Sequence, residues 1–477
     1  MRLLVIHQNF PGQFRYFVRA WSQRPGWDVR GLGRDTAPSL PGFDKLIRYR
    51  LARDPRADQH PYLRPLEAST LHGQAAARAM ISLKHSGFRP DAILAHPGWG
   101  ETLFAKDVFP DARLVHLCEW FHSAEGADRG FDPEFPLSFD DQARMRMWNA
   151  QHTLDLIQCD AAISPTHWQR SRFPEILQPK IVVQHEGIAD ADIGPDPRAA
   201  LTTPSGLVLK AGDPVVTYLA RNLEPCLGFH IFMRALERIQ RADPHCHALI
   251  VGGDELSHRK RPQGAANWRE KMLSEVSIEP ARTHFLGRIP RASCVKVLQV
   301  SAAHVYLSYP FALSRSLLEA MACGAPIIAS NTAPVREVIR DGRNGSLVDF
   351  FDAQGIARQV LYALHSRAEQ LVLRKQAGAD AQQYSQGAGL AGYEDALGIS
   401  RSRKPKQTQA LELSERDCEL LQWLSAGHSN AQIAGLRHRS PATVRNQISM
   451  LYQRLGVNHR AEAMAKAAVL NIRGLKS

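Results

Sequence analysis

Tyr309-Pro310-Phe311-Ala312-Leu313-Ser314-Arg315-Ser316-Leu317-Leu318-Glu319-Ala320-Met321-Ala322-Cys323-Gly324-Ala325-Pro326 decides the fold of the larger part of this chain. β-rich runs at 305–308 and 327–330 bracket a helical run at 316–322, so strand, helix and strand make one parallel crossover unit. Where the first strand turns into the helix, free backbone N–H groups and the helix dipole favour an anion such as a diphosphate. Glu319 sits just inside that helix and offers a carboxylate able to accept both hydroxyls of a ribose. Ser316 and Arg315 open the same helix.

The same alternation extends outward in both directions. Strands are expected at 3–6, 92–95, 114–117 and 161–164, and again at 215–220, 248–251, 305–308 and 327–330, with a helix at 229–239 among them. A Pro- and Asp-rich break near 189–212 separates the two sets. The predicted fold class is therefore α/β, with two Rossmann-like doubly wound domains at 1–195 and 205–395. A ligand belongs in the crevice between them, outside the carboxyl ends of the strands. Arg221, which follows the strand ending at Ala220, is placed to enter that crevice and stabilise charge on a departing diphosphate. After the first strand, Asn9-Phe10-Pro11-Gly12-Gln13-Phe14 puts Gly12 where backbone can approach a ligand closely, or where a turn simply needs a glycine. No GxGxxG dinucleotide fingerprint is present.

On the acceptor side, His96, Glu101, Glu119 and His122 are the candidates, each of which also reads as a structural polar residue. Trp99, Trp120 and Trp168 suit either sugar stacking or a core. His245-Cys246-His247 has metal-ligand composition, but adjacent strand residues point to opposite faces, so no metal site is expected. Seven scattered cysteines suggest reduced thiols and a cytoplasmic location. The first residues read directly as a strand rather than a signal peptide, and no run approaches a membrane span.

The end of the chain differs in kind. Residues 398–411 are polar, charged and proline-containing, and read as a linker. Beyond them, 412–477 is predicted to form a small all-α module with helices near 415–426, 430–437, 441–455 and 459–471. Ser414, Ser429 and Ser440 are the N-caps, Pro441 is a first helical residue, and Gly427 and Gly456 are stops. In the third helix Val444, Ile448, Leu451 and Leu455 form a core-facing stripe. Thr443, Arg445, Asn446, Ser449 and Gln453 lie opposite and suit phosphates and base edges. A short preceding helix (Ile433, Ala434, Leu436) gives helix-turn-helix order. Residues 401–477 hold thirteen Lys/Arg against five Asp/Glu, a net +8 of the chain's +12. Such concentration is the footprint of a phosphate-binding module.

Two resemblances follow. The run LSERDCELLQWLSAGHSNAQIAGLRHRSPATVRNQISMLYQRLGVNHRAEA resembles the LuxR-type helix-turn-helix. Carried over, its DNA-binding residues would be Ser440, Thr443, Val444, Arg445, Asn446, Gln447, Ser449 and Arg454. Gln447 stands where that family has histidine, and Arg454 where it has lysine. SRSLLEAMACGAPIIASNTAPVREVI and YLARNLEPCLGFHIFMRAL resemble the nucleotide-sugar domain of family 4 glycosyltransferases of the GT-B fold, with HPGWGE (96–101) and HEGI (185–188) fitting the same family.

This second resemblance implies retaining, metal-free sugar transfer from a nucleoside-diphosphate donor. Arg221 and Glu319 would be the catalytic pair, and Gly12, Arg221, Arg315, Ser316 and Glu319 would bind the donor. The family's paired glutamate eight positions before Glu319 is replaced by Phe311, and the cation expected before Gly228 by Leu227. Losing one such group costs on the order of 10²–10³ in rate. Arg315, one turn before Glu319, is a candidate replacement cation, or a solvated surface arginine. Three readings stand: a glycosyltransferase with a DNA-binding tail, a transcription regulator whose body senses a nucleotide sugar, or a transferase whose tail is a protein-interaction module. The expected partners are a nucleoside-diphosphate sugar, an unidentified acceptor and double-stranded DNA, with a homodimer left open and no cofactor.

Overall fold

The computed structural model describes residues 1–188, 193–256, 261–399 and 415–455, together with Arg460 and Ala463. It forms two compact units, 1–399 and 400–477.

In the first unit, seven strands make one sheet: β1 (Arg2–Ile6), β2 (Asp28–Arg34), β3 (Leu46–Tyr49), β4 (Ala92–Ala95), β5 (Arg113–Leu117), β6 (Ala161–Ser164) and β7 (Ile181–Val183), in the order β3-β2-β1-β4-β5-β6-β7. All neighbours run parallel. β1, β4 and β5 are buried on both faces, which is why they read as apolar runs. A two-stranded antiparallel hairpin, β8 (Ala200–Thr202) and β9 (Val208–Lys210), occupies part of the region expected to be a break.

The second sheet takes β10 (Val215–Asn222), β11 (His247–Gly253), β12 (Thr283–Gly287), β13 (Ala303–Tyr306), β14 (Ile327–Ser330) and β15 (Ser346–Val348), again parallel, in the order β12-β11-β10-β13-β14-β15. Strand order reverses between β1 and β4 in one sheet and between β10 and β13 in the other. Those two switch points are where a doubly wound sheet leaves a crevice. The α/β class and the two-sheet architecture match the sequence expectation. Strands β2, β3, β7, β12 and β15 were not anticipated; several are short or carry polar residues such as the Asp-Val-Arg-Gly-Leu-Gly-Arg of β2.

One segment departs from the expected halves. The helix Gln386–Ala396, expected in the second domain, packs on the first sheet's core through Tyr393, which is fully buried beside Phe17 with ring centroids 4.5 Å apart. Glu394 accepts from the Trp21 indole at 2.9 Å and pairs with Arg24 at 2.6 Å, and Arg113 donates to the Ala396 carbonyl at 2.8 Å. Tyr393 and Leu397 cover apolar surface that the first half cannot cover itself.

The chain thus crosses between halves twice, and the crossings touch. Ile188 N–H donates to Tyr384 O at 2.7 Å, and Gly187, at φ +88°, lies so close to Ser385 that a Cβ there would stand 2.5 Å from its carbonyl oxygen. A loop of the first half also docks on the second. Asp132 accepts from the Tyr309 hydroxyl and stands 3.1 Å from His230 Nε2, Glu134 takes both guanidinium nitrogens of Arg234 at 2.5 and 3.1 Å, and Phe131 packs on Tyr309, Phe350 and Phe351.

In the second unit the described helices are Glu415–Ser425, Asn430–Leu436 and Pro441–Leu455. Ser429 and Gln432 form a reciprocal capping box, and Ser440 accepts from Thr443 N–H at 3.1 Å. Val444, Ile448 and Leu451 are buried against Leu420, Leu421, Leu424, Ile433 and Ala434, as the stripe required. Leu436 is exposed instead of joining that core. The linker beyond residue 399, the Ser414 cap, Gly456 and nearly all of the fourth helix lie outside the described residues.

Candidate functional site

At the β10/β13 switch point a cleft of 390 Å³ is lined by Arg221, Leu227, Phe311, Ser314, Ser316 and Glu319, among others. Arg221 is exposed and makes no ion pair among the described residues. Glu319 lies in the second turn of the Arg315–Ala322 helix, whose Ser314 cap accepts from Ser316 N–H at 3.3 Å. The sequence pairing of Arg221 with Glu319 therefore puts both on one cleft wall.

Two features of this wall were not legible beforehand. Arg291, at the start of the helix Arg291–Gln299, donates to Glu319 Oε1 at 3.2 Å. Arg129, from the docked loop of the first half, lines the same cleft as Leu227. Nothing local marks either residue; both arrive through tertiary contact.

Phe311 meets Trp120 of the first half with ring centroids 4.6 Å apart, so an aromatic pair joins the two halves where a carboxylate was expected. Leu227 lines the wall, its carbonyl accepting from Tyr218 at 2.8 Å. Arg315 points elsewhere. It lines an adjoining 710 Å³ pocket with Gly12, and its guanidinium lies 3.8 Å from Glu186. Glu319 borders both spaces.

The first half lines the 390 Å³ cleft with His122, Asp128 and Arg129, after β5, and the 710 Å³ pocket with Gly12 and Gln13, after β1. Gly12 has φ +51°, and a Cβ there would stand 2.3 Å from the His7 ring, so glycine is needed for both conformation and space. His7 Nδ1 accepts from Asn9 N–H at 3.0 Å, which leaves Nε2–H to donate to Gln13 at 2.8 Å. His96 repeats the pattern, with Nδ1 accepting from Gly98 N–H at 3.0 Å and Nε2–H donating to Glu119 at 2.9 Å. Gln13 supplies Glu119 with a second donor at 3.0 Å. Burial raises the Glu119 carboxyl, but the His96 and Gln13 hydrogen bonds outweigh it and hold the group below the usual range. Burial pushes His7 down to about 4. Glu119 and His96 thus form one anionic, preorganised cluster with His7 and Gln13.

Glu101 is separate. It is fully buried, accepts from Tyr49 and from Gln8 at 3.2 Å, and burial drives its carboxyl upward. Burial beneath the sheet ends makes it a structural acid rather than a surface contact. His122 sits at the junction of the 390 Å³ cleft and a third pocket of 440 Å³; burial lowers it to about 4, and its Nδ1 is buried without a partner. Trp168 donates its backbone N–H, with that of His167, to Glu337 of the other half.

Among the described residues one cluster has metal-ligand geometry, Asp132, Glu134 and His230. Both Glu134 oxygens are taken by Arg234, so the cluster reads as an ion-pair clasp between the halves. Cys246 is buried and His247 faces His284 at 3.2 Å.

In the second unit Arg445 and Ser449 are exposed on the Pro441–Leu455 helix, and Thr443 and Gln447 are half-buried, Gln447 accepting from Arg437 at 3.3 Å. Ser440 and Thr443 share a 2.8 Å hydrogen bond at the helix start. Val444 is a correction: it is fully buried in the module's core, because it lies on the apolar stripe, and so meets no base. The side chains of Asn446, Gln453, Arg454 and Leu455 lie outside the described residues.

Residues 25–193 match the Glycosyl transferase family 4 group, residues 204–383 match Glycosyl transferases group 1, and residues 411–467 match Bacterial regulatory proteins, luxR family. The body belongs to the glycosyltransferases and the tail to the LuxR family. A D-inositol 3-phosphate glycosyltransferase of Nocardia farcinica is 30% identical over 169 residues, 34% of this chain and 36% of that one. A GDP-mannose-dependent α-(1-6)-phosphatidylinositol monomannoside mannosyltransferase of Mycolicibacterium smegmatis is 28% identical over 223 residues, 42% of this chain and 52% of that one. The chain thus spans between about a third and a half of these curated relatives' lengths.

Among solved structures, Anabaena HepE in complex with UDP-glucose superposes with TM-score 0.59 at 16% identity, covering 83% of this chain and 99% of that one. Sucrose-phosphate synthase from Thermosynechococcus elongatus gives 0.61 at 19%, covering 83% and 98%. The glycosyltransferase body thus has the GT-B fold. No helix among the described residues is long and apolar enough to cross a membrane.

Proposed function

We propose that the body transfers a sugar from a nucleoside-diphosphate donor to an acceptor hydroxyl with retention, and that the LuxR-family tail binds double-stranded DNA. One observation carries the first half of this reading: Arg221, Ser314, Ser316 and Glu319 line a single cleft at a sheet's switch point. Glu319, oriented by Arg291, holds the ribose. The helix N-terminus, Arg221 and Arg129 take up charge as the bond between the anomeric carbon and the β-phosphate oxygen breaks. The acceptor oxygen bonds to the same face of that carbon, and its proton passes to the departing phosphate. Cationic side chains carry the charge, with no metal or cofactor in the scheme. Arg129 stands in for the cation absent at Leu227. Arg315, engaged by Glu186, is a weaker candidate for that part in this conformation.

Thermal-shift profiling with UDP-, GDP- and ADP-sugars, followed by radiolabel transfer, tests the reading. At least one donor should raise the midpoint, and Glu319→Ala should abolish both the shift and turnover. A donor that binds but never turns over favours a second reading, suggested by the Phe311–Trp120 pair between the halves. In that reading the body is a nucleotide-sugar sensor, and donor binding changes DNA affinity by a reciprocal coupling.

A further inference from the structure

The 440 Å³ pocket opens between the helices Arg64–His85 and Phe139–Gln158 and meets the donor cleft at His122, which lines both. Its walls are unlike those of the donor side. No Lys, Arg, Asp or Glu is among its lining residues; Trp99 and Trp148 supply aromatic surface, and His72, His122, His152, Gln8, Ser69 and Gln151 supply polar edges. Trp99 and Trp148 are both half-buried, so each keeps accessible ring surface. Trp148 packs edge-on against His122, 4.9 Å between centroids, which carries the aromatic wall to the junction itself. His122 lines both spaces, and its Nδ1 is buried without a hydrogen-bond partner.

Burial lowers His72 and His122 to about 4 and His152 to about 3, so the imidazoles stay neutral at physiological pH. An uncharged lining of aromatic planes and neutral hydrogen-bonding edges suits a ring with apolar C–H faces and a rim of hydroxyls. It offers no cation to a phosphate.

From this lining we infer that the pocket is the acceptor site and takes an uncharged carbohydrate or cyclic polyol, packed on Trp99 and Trp148 with its reacting hydroxyl at His122. The inference rests on the transferase reading for the word acceptor, but the ligand class rests on the pocket alone.

The full-length protein is titrated with methyl α-D-glucopyranoside, methyl α-D-mannopyranoside, myo-inositol, glucose and glucose 6-phosphate, following tryptophan fluorescence and ligand-observed NMR. At least one neutral compound should bind saturably, and glucose 6-phosphate should bind no better than glucose. Trp148→Leu should weaken neutral-ligand binding about tenfold, while Trp148→Phe restores it to within about threefold. A ring in a merely structural role would not give that aromatic rescue. Preference for glucose 6-phosphate, no binding by any neutral compound, or equal binding by Trp148→Leu would each overturn the inference. Donor turnover on the same sample separates the two readings. Neutral sugar bound without turnover of any donor sinks the transferase alone, and turnover without neutral-sugar binding sinks the pocket assignment alone.

Discussion

Around His7, single atoms decide what the site can be. Its Nδ1 is committed to a backbone amide and its Nε2–H to Gln13, and Gly12 leaves it no spare room. Gly12→Ala should therefore destabilise the body by about 1–3 kcal/mol, through a strained backbone and a displaced ring. Urea unfolding reads this directly, and a change under about 0.5 kcal/mol would count against it. At the donor wall, Arg129→Ala should lower turnover on the order of 10²-fold with little loss of fold, since Arg129 is a partly exposed loop residue whose guanidinium lies 3.6 Å from its neighbour Asp128. Unchanged kcat in that variant would return the missing cation to Arg315. The sequence made Arg221 and Glu319 legible because Arg221 lies in the last residues of β10 and Glu319 in the helix after β13, each within a recognisable local pattern. Arg129 and Arg291 were not, since their roles arise from placement beside residues 98 and 28 positions away, Leu227 and Glu319, that no local period encodes.

Among the elements, the Pro441–Leu455 helix shows how far periodicity reaches. Its apolar stripe was read correctly, yet the family pattern assigned Val444 to DNA while the same stripe assigned it to the core, and burial decides for the core. Arg445→Ala should weaken binding to genomic fragments and reduce the salt slope by about one, as loss of a single phosphate contact does. Leu451→Ala should instead cost about 2–5 kcal/mol of module stability and abolish DNA binding outright, leaving any donor-induced thermal shift of the body unchanged. A Leu451→Ala protein with native DNA affinity would mean that the packing described here does not hold the module together. Strands such as β2 escaped notice because Asp28, Arg30 and Arg34 interrupt its apolar pattern, while pairing to β1 along five residues fixes it regardless.

For the whole body, six histidines of the first half are lowered by burial: His7, His72 and His122 to about 4, His116 and His152 to about 3, and His185. A folded value below the unfolded 6.5 means the unfolded chain binds more protons between the two. The stability contributed is complete above pH 6.5 and is lost as pH falls towards 4. Asp155, raised by burial to about 7, and Glu101, also raised, work in the opposite sense, but two groups oppose six. Calorimetry should show the body's Tm falling between pH 7 and pH 5; a rise would contradict the buried-histidine account.

The paired crossing at Gly187–Ile188 and Tyr384–Ser385 has a mechanical consequence. Two chain segments bonded to each other at one place act as a single pivot, so rotation there is converted into displacement that grows with distance from it. The grip of Phe131 and Asp132 on Tyr309 must then be released before the halves turn about the pivot. Opening the body is, in these terms, a matter of undoing a latch at Asp132 and Tyr309 while the joint at Gly187 and Ser385 holds.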